Sequence, residues 1–160
     1  MPENVVEIDL GVTPEAAVSG AVLIQTEQRA FLTFNAMRPT NRPTPHGGFY
    51  MEDAGTAVVE LMGCSVTKFG YPNDEAWSHI PRTKGLSYGV FEVKDSDWAR
   101  DIVRLNKFSF LKTTTLAGRH FLFLFHDSSF ECIARELKLE LSSLPYAKTF
   151  AEITGRILAE

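Results

Sequence analysis

Residues 119–141, RHFLFLFHDSSFECIARELKLEL, constrain the fold more than any other stretch of this chain. On an extended strand, successive side chains point to opposite faces. Phe121, Phe123 and Phe125 then share one face, and His120, Leu122, Leu124 and His126 share the other. Each phenylalanine ring buries a large apolar area, so the Phe face is expected to point into a core. Residues 129–141 alternate again, with Leu137, Leu139 and Leu141 on one side and Glu136, Lys138 and Glu140 on the other. Between the two runs, Asp127, Ser128 and Ser129 are turn formers that can bond their own backbone. The expectation is a long β-hairpin whose register is open. A two-residue turn at Ser128 and Ser129 would set His126 opposite Glu131, with Cβ atoms about 5 Å apart. A three-residue turn would set Phe125 opposite Glu131 and scatter that pair.

The rest of the chain reads as strands interrupted by loops and few helices. Residues 1–19 are an irregular or edge-strand lead-in, where Thr13 and Pro14 have the chemistry to start a short helix. Residues 20–37 suggest a second hairpin with Glu27 and Gln28 as its loop. Residues 38–48, RPTNRPTPHGG, are expected to be a loop, because proline cannot donate to a ladder. Residues 56–69 read as one long strand with a bulge at Gly63. Asn73 is placed to cap a short helix whose first turn carries Asp74 and Glu75, favourable beside the positive end of the helix dipole. Residues 86–93 suggest a strand, and residues 95–105 a helix capped by Asp95 or Ser96. Residues 108–115 favour extension, and residues 147–159 an amphipathic terminal helix despite Gly155. Without βαβ alternation, this order predicts a single α+β domain over residues 1–160. Its sheet is predominantly antiparallel, a sandwich or open barrel, covered by one or two helices.

Composition excludes several classes. With 44% hydrophobic and 22% charged residues the chain is of globular type, and a formal net charge of -4 argues against nucleic acid as a partner. No apolar run reaches the roughly 20 residues of a membrane span. The acidic start, MPENVVEIDL, has no basic n-region or apolar h-region, so a cytoplasmic location is expected. Cys64 and Cys132 lie in apolar runs outside any CxxC pair and read as buried free thiols.

No G-x-S-x-G, P-loop, G-x-G-x-x-G or H-E-x-x-H motif is present, so no cofactor is indicated. His120 and His126 would stand about 20 Å apart on an extended strand, which prevents them from sharing one metal ion. Acid–base chemistry is the better fit, because a histidine held by a carboxylate titrates near neutrality and can shuttle protons. His126, Asp127 and Glu131 are the candidate catalytic residues. Tyr71, Asn73, Asp74, Glu75, Trp77 and His120 are the candidate substrate-binding residues, with residues 70–79 forming a polar rim beside the Trp77 ring. The expected function is a small-molecule-binding domain with metal-independent isomerase, cyclase or hydrolase chemistry. The alternatives are a non-catalytic binding or protein-interaction module, including a homo-oligomer, and a metal-dependent enzyme with His126 as ligand.

Overall fold

The computed structural model describes residues 2–18, 20–109 and 118–159. Among these, two antiparallel five-stranded sheets face each other without closing into a barrel. The first has the order β1 (Asn4–Glu7), β7 (Gly89–Lys94), β8 (Arg119–Leu124), β9 (Ser129–Ala134) and β6 (Val66–Gly70). The second runs β10 (Glu136–Ser142), β5 (Phe49–Met62), β4 (Ala30–Pro43) and β2 (Thr13–Pro14), with β3 (Val22–Gln25) also paired to β4. Three helices complete the described chain: α1 (Asp74–Trp77), α2 (Asp97–Ser109) and α3 (Tyr146–Leu158). None is long and apolar enough to cross a membrane.

The Phe face does lie between the sheets. Phe121, Phe123 and Phe125 are buried with Phe130 and Cys132 against Leu32, Phe34, Val59 and Leu61 of the opposite sheet. The rings of Phe34 and Phe125 stand 5.4 Å apart, and those of Phe123 and Phe130 5.7 Å apart in an edge-to-face arrangement. On the outer side of the first sheet, Leu122 and Leu124 pack with Phe91, Val93 and Trp77. The second sheet has its own outer cover, where Ile153 of α3 meets Phe31 and Val58. Each sheet is therefore buried on both faces over part of its area, and this part holds the short, mostly apolar runs AFLTF of β4 and AVV of β5.

The hairpin at residues 20–37 forms around Glu27 and Gln28 as expected, with Gln25 opposite Ala30. Other expectations need correction. Leu124 faces Ser129, so His126 and Asp127 form the turn itself, and neither anticipated register is adopted. The run 129–141 is two strands, since β9 and β10 belong to different sheets and separate at Arg135. The run 56–69 likewise divides at Gly63 into β5 and β6. Met62 pairs with Glu136 before the break and Val66 with Ile133 after it, so the β5–β6 side carries one extra residue. That excess is a bulge in count, but the chain uses it to change sheets. Thr13 and Pro14 extend the sheet beside β4 and start no helix.

Residues 38–43 are also not loop. They continue β4 as one side of a two-stranded ribbon, with Pro39 opposite Met51 and Pro43 opposite Phe49. A ribbon leaves each strand one unpaired edge, and proline is tolerated there because its missing N–H can face outward. Residues 95–105 fall within α2, apart from Asp95 and Ser96, and Ser96 Oγ accepts the Ala99 N–H at 3.0 Å. The extended reading of residues 108–115 fails for Phe108 and Ser109, which end α2, and residues 110–115 lie outside the described chain.

Candidate functional site

The loop at residues 70–79 and the β8–β9 turn meet at one end of the first sheet. Asn73 caps α1 by accepting the Ala76 N–H, and this cap turns Asp74 toward the hairpin. The Asp74 N–H donates to His126 O at 3.0 Å, and Asp74 Oδ2 lies 2.7 Å from His126 Nδ1. The same carboxylate oxygen accepts the Tyr88 hydroxyl at 2.8 Å, while Oδ1 takes the Glu75 N–H at 2.8 Å. Trp77 is buried beneath the group, its ring edge-on to Tyr88 at 6.2 Å. Its Nε1 approaches Phe125 O at 3.5 Å.

Two charges and one hydroxyl set the electrostatics here. The Tyr88 hydrogen bond is the main reason that the Asp74 carboxyl titrates below its ordinary range, assisted by the bond to His126 and its charge. Asp74 in turn raises the His126 imidazole, first through the hydrogen bond and then through its charge, and Asp127 adds to the effect. The Tyr88 hydroxyl is pushed upward by donating to an ionised carboxylate. The His126 side chain is 42% exposed, and among the described residues its Nε2 has no hydrogen-bond partner. One ring nitrogen is thus held and the other is left for a proton to enter or leave.

The second histidine has the opposite environment. His120 Nδ1 lies 2.7 Å from Ser96 Oγ and Nε2 2.7 Å from Glu131 Oε2, with the side chain wholly buried. The Trp98 ring stands edge-on at 5.1 Å, and Lys68 Nζ sits 3.6 Å above that ring. Burial alone would raise the Glu131 carboxyl. The hydrogen bond from His120 and the charges of Arg82, His120 and Lys68 outweigh it and hold the group below its usual range. Arg82 lies 2.5 Å from Glu131 and 3.4 Å from Glu3, whose other oxygen accepts the Asp97 N–H at 3.0 Å. Serine, histidine and carboxylate stand in series here, but the Ser96 oxygen already caps α2. The chain of bonds pegs the start of that helix to the sheet.

The expected pairing is therefore corrected: Glu131 serves His120, and the partner of His126 is Asp74. The diagonal of the ladder explains it, since His120 opposes Ile133 and Glu131 lies two residues away on the same face. Asp127 is exposed and acts on His126 through its charge. Asn73 and Trp77 support the site, Glu75 contributes a backbone N–H, and Tyr71 is exposed beyond it. Tyr88 and Arg82 were not singled out by sequence. Nothing local marks them, because Tyr88 meets Asp74 across α1 and Arg82 meets Glu131 across 49 positions of chain.

Among the described residues, no group of three or more His, Cys, Asp or Glu side chains is arranged to hold a metal ion. A cavity of about 740 Å³ lies away from the Asp74–His126 pair, beneath α2, where His120, Ser96 and Arg119 contribute to its wall. Its lining reaches Lys107 and Gly118, on either side of residues outside the described chain. Comparison with known proteins found no matching family model, no matching curated protein and no matching solved structure.

Proposed function

We propose that this chain binds a small molecule at the end of the first sheet and performs metal-independent acid–base chemistry there. The group that would exchange the proton is His126 Nε2. Asp74 is a positioning residue: it holds Nδ1 and supports the imidazolium, while Tyr88 fixes the carboxylate. The supporting observation is the asymmetry of the His126 ring, bonded at 2.7 Å on one nitrogen and without a described partner on the other. A general acid or base needs this combination of fixed orientation and an available atom. Isomerisation, cyclisation and hydrolysis of a small substrate all use it.

The test is an NMR fragment screen that follows the His126 ring nitrogens, repeated on His126→Ala, with light scattering on both proteins. The reading expects fragments that perturb Nε2 in the parent and bind His126→Ala at least about tenfold more weakly. Fold and oligomeric state should be unchanged in the variant. Failure of any fragment to perturb the ring, or equal binding by the variant, overturns the proposal.

A second reading, a non-catalytic module that associates with another copy of itself, rests on the β4–β5 ribbon. Phe49, Tyr50 and Met51 are 54%, 47% and 44% exposed there. β10 pairs with β5 only from Thr56 onward and still covers Gly55, which leaves the outer backbone edge of residues 49–54 open for a strand of a second copy. This reading expects concentration-dependent association in sedimentation, lost in Phe49→Ser/Met51→Ser. A monomer at all concentrations rejects it.

A further inference from the structure

The two cysteines sit where the chain changes sheets. Gly63, Cys64 and Ser65 lead from β5 to β6, and Arg135 leads back from β9 to β10 alongside them. The Ser65 N–H and hydroxyl both donate to Ile133 O, at 2.9 and 3.2 Å, and the Arg135 N–H donates to Met62 O at 2.8 Å. Thr67 stands opposite Cys132. This lacing holds Cys64 against the strand that carries Cys132. Both side chains belong to the core between the sheets, where Cys132 is fully enclosed and Cys64 packs at the margin, half-buried. Both are free thiols, each shifts the titration of the other, and Cys64 Sγ donates to Val66 O at 3.6 Å. A disulfide needs the sulfurs to close to about 2.05 Å, and both thiols pack into the same core beside the laced crossing.

We propose that Cys64 and Cys132 are a thiol–disulfide exchange site, in which Cys64 attacks a low-molecular-weight disulfide and Cys132 resolves the product into an intramolecular bridge. Access separates the roles, because only Cys64 reaches the surface. The reactivity agrees: Cys132 holds the Cys64 thiol below its ordinary value, while Cys64 and burial push the Cys132 thiol well above its own. In the first step the Cys64 thiolate bonds to one sulfur of the small disulfide, and the other sulfur leaves as a thiolate with the bonding electron pair. In the second, Cys132 gives up its proton to that departing thiolate or to water and bonds to Cys64, expelling the second small thiolate. Two protein thiols are oxidised, and one disulfide is reduced to two thiols.

The experiment uses oxidised glutathione as the probe on the folded full chain, read by intact mass after acid quenching and by non-reducing peptide mapping. The parent is expected to lose about 2 Da, with peptides 64 and 132 linked, and to recover on reduction. Cys132→Ser is expected to stop at a glutathione adduct on Cys64, and Cys64→Ser to remain unmodified because its only thiol is enclosed. Retention of both thiols by the parent, a persistent glutathione adduct in place of the bridge, or a link between chains overturns the proposal. If Cys132→Ser does not fold, the parent and Cys64→Ser decide the question on their own.

Discussion

His120 and His126 are six positions apart and sit in opposite surroundings, one enclosed and the other partly open to water. The His126–Asp74 pair is partly open to water, so its effect is read best as a titration. In the folded chain the imidazole is raised from its ordinary 6.5 and the carboxyl is lowered from 3.8. The raised group stabilises the fold fully below the unfolded value and loses that contribution as pH climbs through the folded one. The lowered group contributes above its unfolded value and is lost as pH falls through the folded one. The pair therefore stabilises most between the two ranges. Asp74→Asn is expected to move the His126 titration toward lower pH while leaving the fold intact, measured by the ring resonances against pH. An unmoved titration would show that Asp74 has no hold on the ring. At His120 the cost should be structural: His120→Ala leaves Ser96 and Glu131 without their enclosed partner, a loss of about 2–4 kcal/mol in urea unfolding.

Among the elements, two glycines separate strain from propensity. Gly55 holds φ at 85°, and a Cβ there would lie 2.6 Å from the backbone oxygen of Ser142 on the neighbouring strand. Gly55→Ala should cost at least about 2 kcal/mol, because neither the left-handed backbone nor the β10 carbonyl can yield cheaply. Gly155 sits within α3 with open space around its would-be Cβ, so Gly155→Ala should stabilise by about 0.5–1 kcal/mol. Thermal melts of the two variants should shift in opposite directions. The alternation at Phe121, Phe123 and Phe125 was readable because it is local, and so were the Asn73 cap and the Glu27–Gln28 turn. The division at Arg135 also left a trace. The inward residues Phe130, Cys132 and Ala134 are even-numbered, and Leu137 and Leu139 are odd, so the alternation slips by one between them. The hairpin register was not readable, because His126 and Asp127 lack the Asn-Gly signal that marks such turns. The partner of His126 was not readable either, since the two stretches meet only after the sheet has formed.

At the scale of the molecule, Glu92 reports on acid stability. Its side chain is 9% exposed, and the hydrogen bond from Arg119, supported by Lys94, brings its pKa from 4.5 down to about 2. Because the folded value is the lower one, the stabilisation is complete above the unfolded pKa and disappears as pH falls through about 2. Arg119 and Lys94 are half exposed, so screening reduces the effect to roughly 1–2 kcal/mol. Glu92→Gln should be less stable than the parent by that amount near neutrality, with the difference closing between pH 4.5 and 2 in paired denaturation curves. A gap that persists at pH 2 would assign the effect to packing.

The side-by-side crossings at Gly63–Ser65 and at Arg135 make β5–β6 and β9–β10 two sides of one bent ladder running through both sheets. Neither sheet can be opened along that ladder without unzipping the other, so the sandwich has no half that can come loose alone. Amide protons of Val59 in one sheet and Phe123 in the other should exchange with the same free energy and the same response to denaturant, as members of one cooperative unit.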